Sequence, residues 1–241
     1  MDRGRAPSVT RDAIERIREL IASGEWGPGT RLPREQDLAL QLGLSRNSLR
    51  EAVRALSLAR VLEVRQGDGT YVSSLDPGEL LEPTLSATNL LRGRTVLELF
   101  EVRRLLEPEA AALAAQRVDD DLIAALGAEL DRMVAAGDRA DDLVEADAAF
   151  HDVIAGAPGN GVLRTLLRSL STSTARARLW HGIADRDALD IAREEHRRIY
   201  DAIAAGDPDL ARASALLHIA TNERWLREHL GPADDVPLAD G

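Results

Sequence analysis

Residues 28–56 read PGTRLPREQDLALQLGLSRNSLREAVRAL, and two short amphipathic patterns meet inside this stretch at Gly43. The first places Leu38, Ala39 and Leu42 on one face. The second places Leu49, Ala52, Val53 and Leu56 at i, i+3, i+4 and i+7, so two helices can share one small core. Ser45 is positioned to cap the second helix, whose first turn carries Arg46, Asn47, Ser48 and Arg50. Arg46, Asn47 and Arg50 fall on its outward side. An isolated helix pair of this kind is most often an ordinary solvated surface, but the same placement suits a recognition helix presenting side chains to base edges.

The flanking segments favour the second reading. Upstream, residues 12–23 have Ile14, Ile17, Leu20 and Ile21 at helical spacing, closed by Gly24, and Trp26 precedes a Pro28-Gly29 turn. Downstream, residues 61–65 and 70–73 are β-prone runs joined by Gln66-Gly67-Asp68-Gly69, which predicts a hairpin. Three helices followed by a hairpin is the order of a winged helix. Its glycine-rich tip can approach phosphates or a minor groove closely.

The segment from Ser23 to Val72, with PGTRLP, LGLSRNSLREAVRAL and GDGTYV in order, resembles the N-terminal domain of the GntR family of bacterial transcription regulators. The resemblance implies that Arg46 and Arg50 contact bases or phosphates, that Ser45 and Ser48 lie near the DNA backbone, and that Gln66, Gly67 and Gly69 form the wing tip. The chain departs from the family at one point. Where members usually read LPSEREL, it has Arg34, Glu35 and Gln36, so glutamine replaces the expected arginine. Because glutamine pairs with adenine where arginine prefers guanine, an altered operator preference is expected there.

Charge is divided along the chain. The whole carries −11, yet residues 1–75 hold 12 Arg against 10 acidic residues, leaving −13 for residues 76–241. A basic reading head and an acidic C-terminal half are compatible with DNA binding by the former alone. The thirty basic residues are all arginine, and cysteine is absent, which excludes disulfides and thiolate metal sites. No apolar run approaches the roughly 20 residues of a membrane span, and the start of the chain lacks a signal-peptide core. A cytoplasmic protein is expected.

Domain boundaries are expected at 1–75 for the winged helix, 76–94 for a linker and first bundle helix, 95–231 for a helical domain, and 232–241 for a disordered tail. From residue 79 onward the apolar period stays near 3.6, predicting helices near 79–92, 95–117, 119–136, 139–155, 160–180, 186–205 and 208–229. The fold class is therefore mainly α: a winged helix-turn-helix domain followed by an all-α antiparallel bundle.

Ionisable residues interrupt the apolar stripes of that bundle. Arg103 lies on the stripe Val96, Leu99, Leu106, Ala110; Asp147 and His151 lie with Leu143, Phe150 and Ile154; His196 with Ala192, Ile199 and Ile203; His218 on or beside Ala211, Ser214, Thr221 and Trp225. Unpaired buried ions are costly, so these groups are expected to meet. Asp147 and His151, at i and i+4, could bind one metal, and His196 and His218 could complete a set of one oxygen and three nitrogens. Such a set would close a zinc tetrahedron or leave two positions open on Ni²⁺ or Mn²⁺. For Arg103, a structural ion pair with Asp147 or Glu107 is the alternative.

EADAAFHDVIAGAPGNGVL, EEHRRIYDAIAAGDPDLARA and LLHIATN resemble the FCD effector domain of the FadR subgroup of GntR regulators, over roughly residues 95–230. That resemblance implies a divalent metal held by Asp147, His151, His196 and His218, and an anionic effector bound by Arg103, with Asn222, Arg164 and Arg168 as weaker pocket candidates. The expectation is thus a homodimeric, metabolite-responsive regulator, repressor in sign, that binds a double-stranded operator and a small organic acid. A metal-dependent hydrolase and a purely structural metal are the competing readings. His181, His229, Trp26, Trp180, Trp225 and the Arg176/Arg178 and Arg197-Arg198 pairs are read as structural or solvated.

Overall fold

The structure, a computed structural model, describes residues 9–86, 95–137, 139–184 and 186–229, with side chains described except at positions 9, 86, 95 and 175–188. The tail expected at 232–241 and the end of the helix expected at 79–92 lie outside these residues, and the readings placed on Arg176, Arg178, Trp180 and His181 lie outside the described side chains. The chain divides into two compact units, Met1–Pro83 and Thr84–Gly241.

In the first unit, α1 (Val9–Ala22), α2 (Glu35–Leu42) and α3 (Arg46–Leu58) precede β1 (Leu62–Arg65) and β2 (Gly69–Val72). Gly43 ends α2 in the left-handed conformation at φ 64°, where a side chain would be strained, and its backbone N–H bonds to the carbonyls of Ala39 and Leu40. Two residues later Ser45 opens α3: its Oγ accepts from Ser48 N at 3.1 Å. Ala13, Ile17, Trp26, Leu32, Leu38, Leu49, Ala52, Leu56, Leu62 and Val72 form one core. The hairpin pairs Leu62 with Val72 and Arg65 with Gly69. A single bridge from Arg31 to Tyr71 ties the strand-like approach to α2 onto β2.

α4 (Pro77–Ser86) begins earlier than the expected residue 79. Asp76 Oδ1 accepts from the backbone N–H groups of Gly78 and Glu79 at 2.8 and 3.2 Å, which makes it an N-cap. Pro77 then occupies the first helical position, where its missing N–H leaves no bond unmade. Pro77-Gly78, the same dipeptide as the turn at Pro28-Gly29, is here a helix start.

The second unit is built from α5 (Thr95–Gln116), α6 (Asp120–Ala136), α7 (Ala140–Gly156), α8 (Gly161–Ala184), α9 (Arg186–Ala204) and α10 (Pro208–His229). Asp119, Asn160 and Asp207 cap α6, α8 and α10 by accepting from backbone N–H groups three residues on. α5 runs through the middle, touching α7, α8, α9 and α10. Its buried Ala110, Ala111, Ala114 and Ala115 present no long side chain and let α9 and α10 approach. Phe150, Leu126, Leu130, Ile199 and Ile203 fill the rest of the core.

Candidate metal centre and nucleic-acid interface

The polar interruptions of the bundle stripes converge. Asp147 and His151 stand one turn apart on α7, His196 projects from α9 and His218 from α10, and one ligand atom of each lies within 4.8 Å of all the others. The three rings contact one another, with centroids 5.3 Å apart for His151–His196, 5.2 Å for His151–His218 and 4.4 Å for His196–His218. Phe150 closes the cluster from below, its ring edge-on to both His151 and His196. His218 is placed by a buried stripe of Ala211, Ala215, Asn222 and Leu226, one position round from the stripe expected from the sequence.

Each imidazole is anchored through one nitrogen and bare at the other. His151 Nδ1 lies 3.2 Å from Glu107 Oε2, His196 Nδ1 lies 2.6 Å from the carbonyl of Ala192, and His218 Nδ1 lies 3.0 Å from Glu195 Oε2. All three partners are acceptors, so each Nδ1 carries the proton and each Nε2 presents a lone pair. The three Nε2 atoms are buried and have no hydrogen-bond partner among the described residues. His196 Nε2 and His151 Nε2 stand 3.2 and 3.8 Å from Asp147 Oδ1. Three lone pairs and a carboxylate turned toward one another repel unless a cation lies between them. The donor set therefore fits a divalent metal, and its nitrogen and oxygen ligands suit Zn²⁺, Ni²⁺ or Mn²⁺.

Burial favours the neutral rings that a metal requires. It lowers the pKa of His151, against an opposing pull from Glu107, and lowers that of His218 well below the ordinary value, reinforced by repulsion from His196 and His151. Glu107 behaves oppositely. Burial alone would raise its pKa, but the adjacent Arg103 and His151 outweigh that and hold it ionised. At Glu195 burial wins over the Thr221 hydrogen bond, and its pKa is raised.

Arg103 is fully buried. Its Nε and Nη2 donate to the two Glu107 oxygens at 2.5 and 3.3 Å, and its Nη1 donates to Thr174 Oγ1 at 2.8 Å. The ion pair with Glu107, the alternative drawn from the sequence, is thus present. Asn222 is buried beside the cluster and its Nδ2 donates to the His218 carbonyl at 3.0 Å. Arg164 and Arg168 do not join it: both are exposed, and Arg164 pairs with Asp152 at 2.6 Å. The sequence gives no local sign of Glu195, whose carboxylate bridges His218 and Thr221 Oγ1 from a helix 23 residues away in sequence.

In the first unit, Arg34, Gln36, Ser45, Arg46, Asn47 and Arg50 are all exposed, and Ser48 is half-buried by its cap contact with Ser45. Arg50 Nε lies 4.0 Å from Glu35 across a solvated gap that leaves both free to rearrange. Gln66 and Gly67 stand at the exposed hairpin tip. The tip is braced from behind: Tyr71 donates to Asp68 Oδ2 at 2.7 Å, the Arg65 guanidinium lies 4.4 Å from the Tyr71 ring centre, and Arg31 donates to the Asp68 carbonyl. A Cβ built on Gly69 would lie 2.9 Å from Arg31 Nε, so glycine there leaves the space this brace uses.

Two families match. Residues 9–72 match "Bacterial regulatory proteins, gntR family", and residues 98–221 match the FCD domain. The HTH-type transcriptional regulator LutR of Bacillus subtilis is 35% identical over 212 residues, covering 85% of this chain and 94% of the relative. The galactonate operon transcriptional repressor of Escherichia coli is 31% identical over 214 residues, covering 86% and 92%. The solved structure of Streptococcus agalactiae GntR superposes with a TM-score of 0.61 at 32% identity, over 90% of this chain and 99% of that one. These relatives are transcription regulators, not enzymes. With its winged helix, its helical bundle and relatives matched along nearly their whole length, the chain belongs to the GntR family of bacterial transcriptional regulators and carries a C-terminal FCD domain.

Proposed function

We propose that this regulator represses its operator as a homodimer and responds to a small carboxylate bound at a divalent metal in the FCD domain. The observation that carries the reading is the convergence of three buried Nε2 atoms on Asp147, with the Arg103 guanidinium joined to His151 through the shared Glu107 carboxylate. Asp147, His151, His196 and His218 would hold the ion, which when bound would supply a Lewis-acidic seat for a carboxylate oxygen. Arg103 uses three of its five N–H donors among the described residues, and the other two, with Asn222, would pair with the remainder of the anion. The galactonate operon repressor is named for a sugar acid, and hydroxycarboxylates of that kind can offer a second oxygen to a metal.

On the DNA side, Arg46, Asn47 and Arg50 would reach base edges and phosphates from the start of α3, Ser45 and Ser48 would meet the DNA backbone, Arg34 and Gln36 would contribute from the start of α2, and Gln66, Gly67 and Gly69 would follow the adjacent groove. A two-fold dimer would set half-site spacing. Effector binding would change operator affinity through the bundle, and linkage requires the acid to bind the DNA-bound form less tightly if it releases DNA. The test is a thermal-shift screen of two- to six-carbon hydroxy and keto acids with Ni²⁺, Zn²⁺ or Mn²⁺, followed by operator release with each hit. Equal affinity of a hit for free and operator-bound protein would sink the switch. A hydrolase reading is set aside by the relatives; a structural metal without sensing predicts metal binding and no hits.

A further inference from the structure

Resting on the metal reading above, we infer that Arg103 and Glu107 form a positioning pair for the metal, so that Arg103 governs metal affinity even when no anion is present. Glu107 is shared. Its Oε1 receives Arg103 Nε at 2.5 Å, while its Oε2 stands 3.2 Å from His151 Nδ1 and 3.3 Å from Arg103 Nη2. Glu107 is 6% exposed and His151 8%, so no solvent competes for these bonds. The chain Thr174, Arg103, Glu107, His151 therefore runs unbroken from α8 through α5 to α7, and ends on a ring whose other nitrogen faces the ligand cluster.

The chemistry follows from where the charges sit. A carboxylate accepting the Nδ1 proton fixes the ring orientation, selects the tautomer with Nε2 free, and strengthens Nε2 as a ligand. The Glu107 carboxylate reaches His151 through one oxygen while both of its oxygens are held by the guanidinium of Arg103. Arg103 also sets where the carboxylate points, because two of its N–H groups grip the two oxygens in a fork. Removing Arg103 would leave Glu107 buried without a cation and free to turn away from His151. His218 has an independent anchor in Glu195, and His196 in the Ala192 carbonyl, so the dependence on Arg103 is specific to the His151 arm.

An anion that reaches Arg103 would then act on both ends of this chain. That separates two roles the residue could play. A guanidinium that only receives the effector is silent in a titration with metal alone, whereas a guanidinium that positions Glu107 is not.

The experiment titrates Ni²⁺ alone into metal-free protein, in a buffer without carboxylates, using a competing chromophoric chelator, for wild type, Arg103→Met, Glu107→Gln and the double variant. Each single change should weaken Ni²⁺ binding by about 10–100-fold, the range seen when outer partners of metal-ligating histidines are removed, and the double variant should be no weaker than the worse single one. Substituting Co²⁺ should give a visible spectrum that shifts in the same three variants and stays unchanged in Arg164→Met, a surface control. Arg103→Met binding Ni²⁺ within twofold of wild type overturns the inference. If a single variant fails to fold because it strands a buried charge, the double variant strands none, and wild-type Ni²⁺ affinity in it overturns the inference equally. Absence of Ni²⁺ uptake by the wild type overturns this inference and the metal reading together, while uptake lost in His218→Ala but retained in Arg103→Met overturns this inference alone.

Discussion

His196 and His218, carried by consecutive helices, meet ring against ring at 4.4 Å with both Nε2 atoms buried and neither hydrogen-bonded among the described residues. Both rings lie beside the Asp147 carboxylate, and because they come from different helices their meeting depends on the packing of the bundle rather than on one helix.

Metal removal should destabilise one unit only. At a free metal concentration a hundredfold above Kd, binding contributes about 2.7 kcal/mol. For a domain of this size that corresponds to a fall of roughly 5–10 °C in melting midpoint on chelation. Calorimetry should show the loss in the transition of the C-terminal unit, and His218→Ala should erase the difference between metal-loaded and chelated protein. A chelator that shifts both transitions equally would contradict a site confined to α7, α9 and α10.

Gln36→Arg should change which operators are selected. Gln36 is exposed at the start of α2. A bidentate side chain on the wrong base loses about 1–3 kcal/mol, a factor of roughly 5–150 in affinity. Selection from random duplexes should enrich guanine with arginine and adenine with glutamine at one position per half-site. Identical selected sequences for both proteins would remove Gln36 from the readout.

Arg46→Ala and Arg50→Ala should both weaken DNA binding, but differently. Deleting a side chain that holds a phosphate reduces affinity evenly across sequences and lowers the salt slope by about 1, while deleting one that reads a base relaxes preference at a single position. Affinities measured at several salt concentrations for operator and scrambled duplex distinguish the two. No change from either variant would refute the placement of α3 in the groove.

Ser45→Ala should lower the stability of the N-terminal unit by about 1 kcal/mol, the usual loss for an N-cap whose hydroxyl accepts a backbone N–H. Because the cap orients the first turn of α3, operator affinity should fall modestly while base preference is retained. Asn at the same position should restore most of the stability in denaturant melts.

The apolar periods of α1, α3 and α5–α10 were enough to place the helices to within a few residues, even for the central α5, which is buried on more than one side. The hairpin was legible from Gln66-Gly67-Asp68-Gly69 for the same local reason. The start of α4 was not: Asp76-Pro77-Gly78 reads equally as turn and as cap plus first helical residue, and only the backbone N–H groups that Asp76 satisfies decide between them. In the bundle, Asp147, His151, His196 and His218 stood out because ions interrupted apolar stripes. Glu195 stayed obscure, and Glu107 was legible only as a partner for Arg103, not as the anchor of His151. Each sits next to or within an ordinary charged run, and its burial arises from a partner on another helix, at His151 and His218, which no periodicity encodes.

Among the described residues, the apolar cluster of the reading head draws on residues 13–75 and those of the helical bundle on residues 96–226, and no side chain belongs to both. Lineages can therefore alter the DNA-binding domain and the FCD domain separately, each by substitutions that leave the other interior undisturbed. A new regulatory circuit becomes reachable by small steps, since neither half has to be rebuilt when its counterpart drifts.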